Sequence, residues 1–209
     1  MDITNMWNSN DEDIWKERLD EYQKRVKPSN RALEDRMGNL NPNIIKAISP
    51  EEFYRFLFDE YFVWKYTDKR RLARTRSYLR KYKEEDRLSD LEVIHRLIFN
   101  FRLENITHGL MIAKEIEGLG TSGASGLLAL LFPSHFGTVD QFVIKALSTV
   151  ENLPQIGKVK QINPDGIGIE DAALIIEIMR QKAKTLNTAN KTSYWTPRKI
   201  DMVLWACRT

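Results

Sequence analysis

Cysteine is almost missing from this chain of 209 residues, where Cys207 stands alone. One thiol can neither close an internal disulfide nor supply the four thiolates that an iron–sulfur cluster normally takes. Histidine is nearly as scarce. His95, His108 and His135 are scattered without metal-ligand spacing, so no metal and no cofactor is expected. Long apolar runs are also lacking: the longest strongly apolar stretch, GLLALLF, is far too short for a bilayer span. The opening, MDITNMWNSNDEDIW, is acidic and polar, unlike a signal peptide. These absences lead to the expectation of a soluble, intracellular (cytoplasmic) protein with no membrane partner. Internal repeats, low-complexity tracts and convincing strand pairs do not stand out either.

What is present is an ordinary globular composition, 42% hydrophobic and 29% charged, on a chain long enough for one domain or for two lobes. The net charge of +3 says little, but its distribution says more. KRRLARTRSYLRKYK, from Lys69 to Lys83, holds eight basic residues and no acid, whereas the first 25 residues are rich in Asp and Glu.

Helical periodicity runs through nearly every segment. SPEEFYRFLFDEYFVWKY opens with Ser49, Pro50 and Glu52, a capping box with proline at the first helical position, and sets Phe53, Phe56, Leu57 and Tyr61 on one face. LSDLEVIHRLIFNF spaces Leu91, Ile94, Ile98 and Phe101 by threes and fours. IEDAALIIEIMRQKAKTL repeats the pattern around Leu174 and Ile178, and TPRKIDMVLWA starts on Thr196 and Pro197. Turns are expected at RMGNLNPN, FPSHFG and INPDGIG. The predicted class is all-α. Residues 1–40 read as a charged N-terminal segment and 41–209 as the main domain, with lobe boundaries near 85–90 and 150–165.

GLGTSGASGLLALLFPSHFGTVD, residues 118–140, contains Gly-x-Gly-x-x-Gly at Gly118, Gly120 and Gly123, and Asp140 follows twenty positions after Gly120. Such a pattern marks a dinucleotide turn only when a buried strand leads into it. The preceding LENITHGLMIAKEIE instead places Ile106, Leu110, Ile112 or Ala113, and Ile116 at helical spacing. A hairpin between two helices suits the same glycines better. Gly118 and Gly120 can take positive φ and bare the amides of the next helix to a phosphate oxygen, while Gly123, Ala124, Ser125 and Gly126 allow close helix packing.

The stretch GLGTSGASGLLALLFPSHFGTVDQFVIKAL resembles the core of the helix-hairpin-helix base-excision DNA glycosylase superfamily, of the 8-oxoguanine and adenine glycosylase type. The match covers roughly residues 91–150 well, and TPRKIDMVLW is similar to the C-terminal helix of some 8-oxoguanine glycosylases. The resemblance implies a two-lobed helical bundle that binds DNA across its cleft and flips out a damaged base. It implies Asp140 as the catalytic carboxylate and the hairpin at Gly118, Gly120, Thr121 and Ser122 as a contact to the DNA backbone. Members that also cut the strand carry a lysine where this chain has Ser122, so a monofunctional enzyme leaving an abasic site is implied.

Breaking a glycosidic bond builds positive charge on the sugar, which a carboxylate stabilises, and the same group can orient the attacking water. A flipped base needs an aromatic or apolar pocket, for which Tyr61, Trp64 and Trp205 are candidates. Arg70, Arg74 and Lys81 share one face at helical spacing and would supply phosphate contacts. Each assignment has a plainer counterpart. Asp140 suits a helix cap, the glycines a tight connection, the basic run a solvated face, the aromatics a core, and His135 a loop position. Two whole-protein alternatives stay open beside the glycosylase: a DNA-binding module of the same fold without catalysis, in a repair or genome-defence assembly, and a helical interaction protein. Protein partners are unknown from the sequence.

Overall fold

The computed structural model describes residues 2–208, and within them every regular element is a helix and none is a strand. The chain opens with α1 (Ile3–Asn8), α2 (Glu12–Arg25) and, after a 3-10 turn at Pro28–Asn30, α3 (Arg31–Gly38). Then come α4 (Pro42–Ala47), α5 (Pro50–Arg55), a π-helical segment at Phe56–Tyr61, and α6 (Phe62–Lys65). The central part holds α7 (Lys69–Glu84), α8 (Leu88–Ile98), α9 (Ile106–Lys114) and α10 (Thr121–Leu131). The last part holds α11 (Gln141–Ser148), α12 (Ile156–Val159), α13 (Ile169–Asn190) and α14 (Pro197–Ala206).

Local chemistry explains several of these starts. Ser49 accepts from the Glu52 amide while the Glu52 carboxylate accepts from the Ser49 amide, so the capping box over Pro50 is present as the sequence predicts. Thr196 accepts from the Lys199 amide ahead of α14, with Pro197 supplying the fixed φ of the first turn. Asp68 starts the basic helix α7 by accepting from the Arg71 amide.

The aromatic helix departs from its expected single α-helical run. Phe53, Leu57, Tyr61 and Phe62 are all fully buried, and the step from Leu57 to Phe62 is five residues, one more than an unbroken α-helix keeps in line. The π turn absorbs the extra residue and keeps both halves facing the core. The predicted stripe of the next helix likewise ends early. Leu91 and Ile98 are fully buried in α8, but Phe101 lies beyond its end and packs edge-on against Phe132 and Phe136.

One contiguous apolar cluster includes Met6 and Trp15, Leu79, Leu127 and Leu128, Ile175 and Leu204. It draws on residues from both sides of 85–90 and of 150–165. The acidic first segment is part of it: α2 lies along α14, and Trp15 packs edge-to-face on Trp195 with ring centres 5.9 Å apart. Lys182 joins this contact. Its ammonium donates to the Ser9 carbonyl and to Asn10 Oδ1, and burial pushes its pKa down to about 8. No helix in the described residues is long and apolar enough to cross a membrane.

The segment before the glycines is helix α9, not a strand, which removes the dinucleotide reading. α9 and α10 pack on each other across the glycine turn. Of the two turn glycines only Gly118 takes positive φ, +92°. Gly120 sits at φ −85°, where it is the N-cap of α10, a correction to the expectation of positive φ for both.

Candidate functional site

The site is built outward from α10, whose small residues let three other segments come close. At Gly123 the carbonyl accepts from the buried Tyr61 hydroxyl. An added Cβ at Gly126 would sit 2.9 Å from Tyr61 Oη and 3.2 Å from Lys65 Cδ, so α6 and the π turn rest directly on α10. At Ser125 the buried hydroxyl accepts from the Val139 amide at 2.9 Å. The Val139 bond holds the extended segment that leads into Asp140.

From the opposite side, α14 pins the same segment. Asp201 accepts from the Thr138 amide at 2.6 Å and pairs with Arg198 at 2.6 Å, one turn earlier on α14. Arg198 also reaches Glu34 of α3 at 3.5 Å and Tyr22 of α2 at 3.4 Å. Glu34 in turn accepts from the Tyr22 hydroxyl at 2.6 Å and from Trp64 Nε1 at 2.7 Å. Burial opposes the charge of Arg198, yet Asp201, Tyr22 and Glu34 hold its pKa above the ordinary arginine value. Burial pushes the Asp201 carboxyl above the usual carboxylate range, with Arg198 pulling it back and Asp140 adding to the rise.

These groups enclose a pocket of about 400 Å³, within the range that small-molecule sites occupy. Four aromatic residues, Tyr22, Trp64, Phe142 and Trp205, line it beside a larger number of charged ones. Trp205 meets Tyr22 edge-on at 5.1 Å and Phe142 at 6.4 Å, and the Arg208 guanidinium lies 3.5 Å over its ring. Exposed Arg25 and Lys27 add positive charge to the lining.

Asp140 lines the pocket and caps α11 at the same time. Its Oδ1 accepts from the amides of Phe142 at 2.9 Å and Val143 at 3.1 Å. Oδ2 accepts no hydrogen bond from the described residues. Capping and catalysis, which the sequence sets as rivals, are therefore compatible, since one oxygen orients the carboxylate and leaves the other for a ligand.

Lys65 lines the pocket as well. Its stem lies on Gly126, and its ammonium makes no hydrogen bond or ion pair with a described residue. Burial lowers its pKa, while Asp140 and then Asp201 raise it.

Three of the sequence-chosen residues, Asp140, Trp64 and Trp205, thus meet in one pocket. Tyr61 does not line it: the ring is fully buried behind α10. Gly118, Gly120, Thr121 and Ser122 do not line it: they form the turn and first residues of α10, next to Gly123, where the turn touches α7, since a Cβ on Gly118 would stand 2.7 Å from the Thr75 carbonyl. Thr121 is buried and Ser122 half-buried. Arg70 and Arg74 are exposed on α7 and Lys81 is half-buried. Arg74 and Lys81 flank the exposed ring of Tyr78 at 5.9 and 5.5 Å. His135 is tied to the fold through its carbonyl, which accepts from Arg180 Nε at 2.6 Å.

Sequence reasoning missed Tyr22, Glu34, Lys65, Arg198 and Asp201. The one local signal was TPRKID, which sets Arg198 and Asp201 three apart on a helix, a spacing at which side chains meet. Nothing local ties Glu34 to Trp64, thirty residues on. No family model matches this chain, no curated protein matches it significantly, and no solved structure does so either.

Proposed function

We propose that this chain is a DNA N-glycosylase that takes a flipped, damaged or modified base into the aromatic pocket and hydrolyses its glycosidic bond with Asp140. The observation that carries the reading is the placement of Asp140: one carboxylate oxygen is bound by two amides, the other accepts no hydrogen bond from a described residue, and the residue lines a pocket that Trp64 and Trp205 also line. A planar heterocycle suits such walls, and a fixed carboxylate suits the cationic sugar of the transition state. The resemblance to helix-hairpin-helix glycosylases supports the same assignment. The turn at Gly118 and the exposed Arg70, Arg74 and Tyr78 of α7 form an adjoining surface suited to the phosphate backbone.

Asp140 either orients and deprotonates the attacking water or faces the developing charge on the sugar, and in both cases the base leaves and an abasic site remains. Single-turnover excision on oligonucleotides carrying a panel of damaged or modified bases, developed with alkali, tests this. Wild-type protein is expected to release a base. Asp140→Asn is expected to lose at least about 100-fold in rate, the scale of a positioned acid–base group, while keeping DNA affinity. DNA binding with no release across the panel would favour the non-catalytic binding module, and absence of DNA binding would favour the helical interaction protein.

A further inference from the structure

The pocket is lined by five cationic side chains and only three carboxylates. Arg198 takes two of those carboxylates, Asp201 at 2.6 Å and Glu34 at 3.5 Å, which leaves four cations and Asp140. Three of the four, Arg25, Lys27 and Arg208, belong to the end of α2 and to the residues after α14. Arg25 Nη1 donates to the Arg208 carbonyl at 2.9 Å, and the Arg208 guanidinium lies 3.5 Å over the Trp205 ring and 5.1 Å over that of Phe142. Both arginines are thereby anchored at the pocket wall. Neither they nor the exposed Lys27 form an ion pair with a described residue. Glu21, one turn before Arg25 and its natural partner on α2, pairs with Lys24 instead, at 3.2 Å. The two guanidinium groups are close enough to repel each other: burial, and then Arg25, push the Arg208 pKa down, with Asp140 and Tyr22 acting against them. A guest with several anionic oxygens would relieve that repulsion, and the planar forks of two arginines bind such oxygens in pairs.

We propose that Arg25, Lys27 and Arg208 form a phosphate subsite on the rim of this pocket, which binds the phosphate group of the nucleotide whose base lies among the aromatic residues. The assignment rests on the reading of the pocket as a nucleotide site. Trp205 links its two parts, because the same ring lines the pocket and carries Arg208. Asp140 attracts Arg208 from within the pocket, where the sugar that joins base to phosphate would meet it. The subsite is separate from the glycine turn and from α7, so it adds a contact at the reacting nucleotide itself to those along the backbone. Its phosphate belongs either to a DNA strand, as a diester, or to a free nucleotide, as a monoester.

Two titrations separate these sources. In the first, wild-type protein and the double variant Arg25→Gln, Arg208→Gln are titrated with a duplex that carries a tetrahydrofuran abasic analogue, and with duplexes in which one phosphate on either side of the analogue is a neutral methylphosphonate. For a DNA phosphate, wild type is expected to bind one of the methylphosphonate duplexes about tenfold more weakly, the scale of a charged hydrogen bond. The double variant is expected to lose a similar factor on the unmodified duplex and to lose nothing further on that methylphosphonate. In the second, the four common deoxynucleoside 5′-monophosphates are compared with their nucleosides. A preference for the monophosphates that the double variant abolishes assigns the subsite to free nucleotides. Lys27→Gln, at an exposed position, gives the same readings on a smaller scale if loss of Arg208 unsettles Trp205. Independent, additive losses in the first titration, together with no phosphate preference or one that survives in the variants, overturn the proposal. Base excision seen in that case leaves the hydrolytic function standing, whereas coupled losses without excision on any base keep the subsite and remove the catalytic reading. Wild-type protein that binds neither the duplexes nor the monophosphates removes both.

Discussion

At the scale of single residues, the buried charges around α14 carry the sharpest consequences. Arg198 and Asp201 have side chains only 10% and 3% exposed, and Glu34 beside them is 12% exposed. Arg198→Met would leave two carboxylates enclosed without their cation, a loss worth about 3–5 kcal/mol. Urea unfolding is expected to register that loss, and a variant with Asp201→Leu added should regain part of it. His95 sets a different signature. Its Nε2 faces the Ile45 carbonyl at 2.9 Å, which only accepts, so Nε2 holds the proton and Nδ1 is the nitrogen that titrates. Burial lowers its pKa below 6.5, which means that the unfolded chain takes up a proton that the fold resists. The stability involved is complete above pH 6.5 and is lost as pH falls through the lower folded value. His95→Gln, which keeps a donor for Ile45, is expected to flatten this acid limb in melting curves taken from pH 7 downward. An unchanged limb would assign it to other groups.

At the scale of elements, α10 does more than connect a turn to a core. Gly123 and Gly126 admit Tyr61 and Lys65, Ser125 holds Val139, and the helix begins at the glycine turn that meets α7. Gly118→Ala tests the turn. A side chain there is strained at φ +92° and collides with the Thr75 carbonyl, so a loss of about 1–3 kcal/mol is expected, read as a lower melting temperature. Gly120→Ala, at ordinary φ with open space for a Cβ, should cost much less. Equal losses would show that the turn does not depend on Gly118 in this way. The element boundaries that escaped the sequence have local causes. An aromatic stripe counted at 3.6 residues per turn does not reveal a π turn, because Phe56, Leu57, Tyr61 and Phe62 are all apolar and satisfy either count.

At the scale of the molecule, charge sets how any nucleic acid would be held. Arg70, Arg74 and Lys81 stand on α7 next to the turn at Gly118. If all three meet phosphates of double-stranded DNA, replacing them with alanine should reduce the slope of log affinity against log salt by about 2.7, at roughly 0.9 for each contact. An unchanged slope would place the DNA elsewhere. The first segment of the chain belongs to the same unit, because Trp15 is fully buried against Trp195 and Tyr22 and Glu34 furnish pocket polar groups from α2 and α3.

By itself the sequence determined the all-α class, the capped starts of α5 and α14, the helix ahead of the glycines, and Asp140 at the head of α11. All of these rest on interactions within a few residues, such as apolar spacing, cap hydrogen bonds and proline geometry, which a linear pattern records directly. Only the tertiary structure decided that Trp64 and Trp205 share a pocket with Asp140 while Tyr61 does not, and that Lys65, Arg198, Asp201 and Glu34 surround it. Those contacts join α2, α3, α6 and α14, and their partners are chosen by where the helices pack. A charged residue such as Glu34 reads from its neighbours as one more solvated acid. Enclosure by Tyr22, Trp64 and Arg198 makes it part of a site.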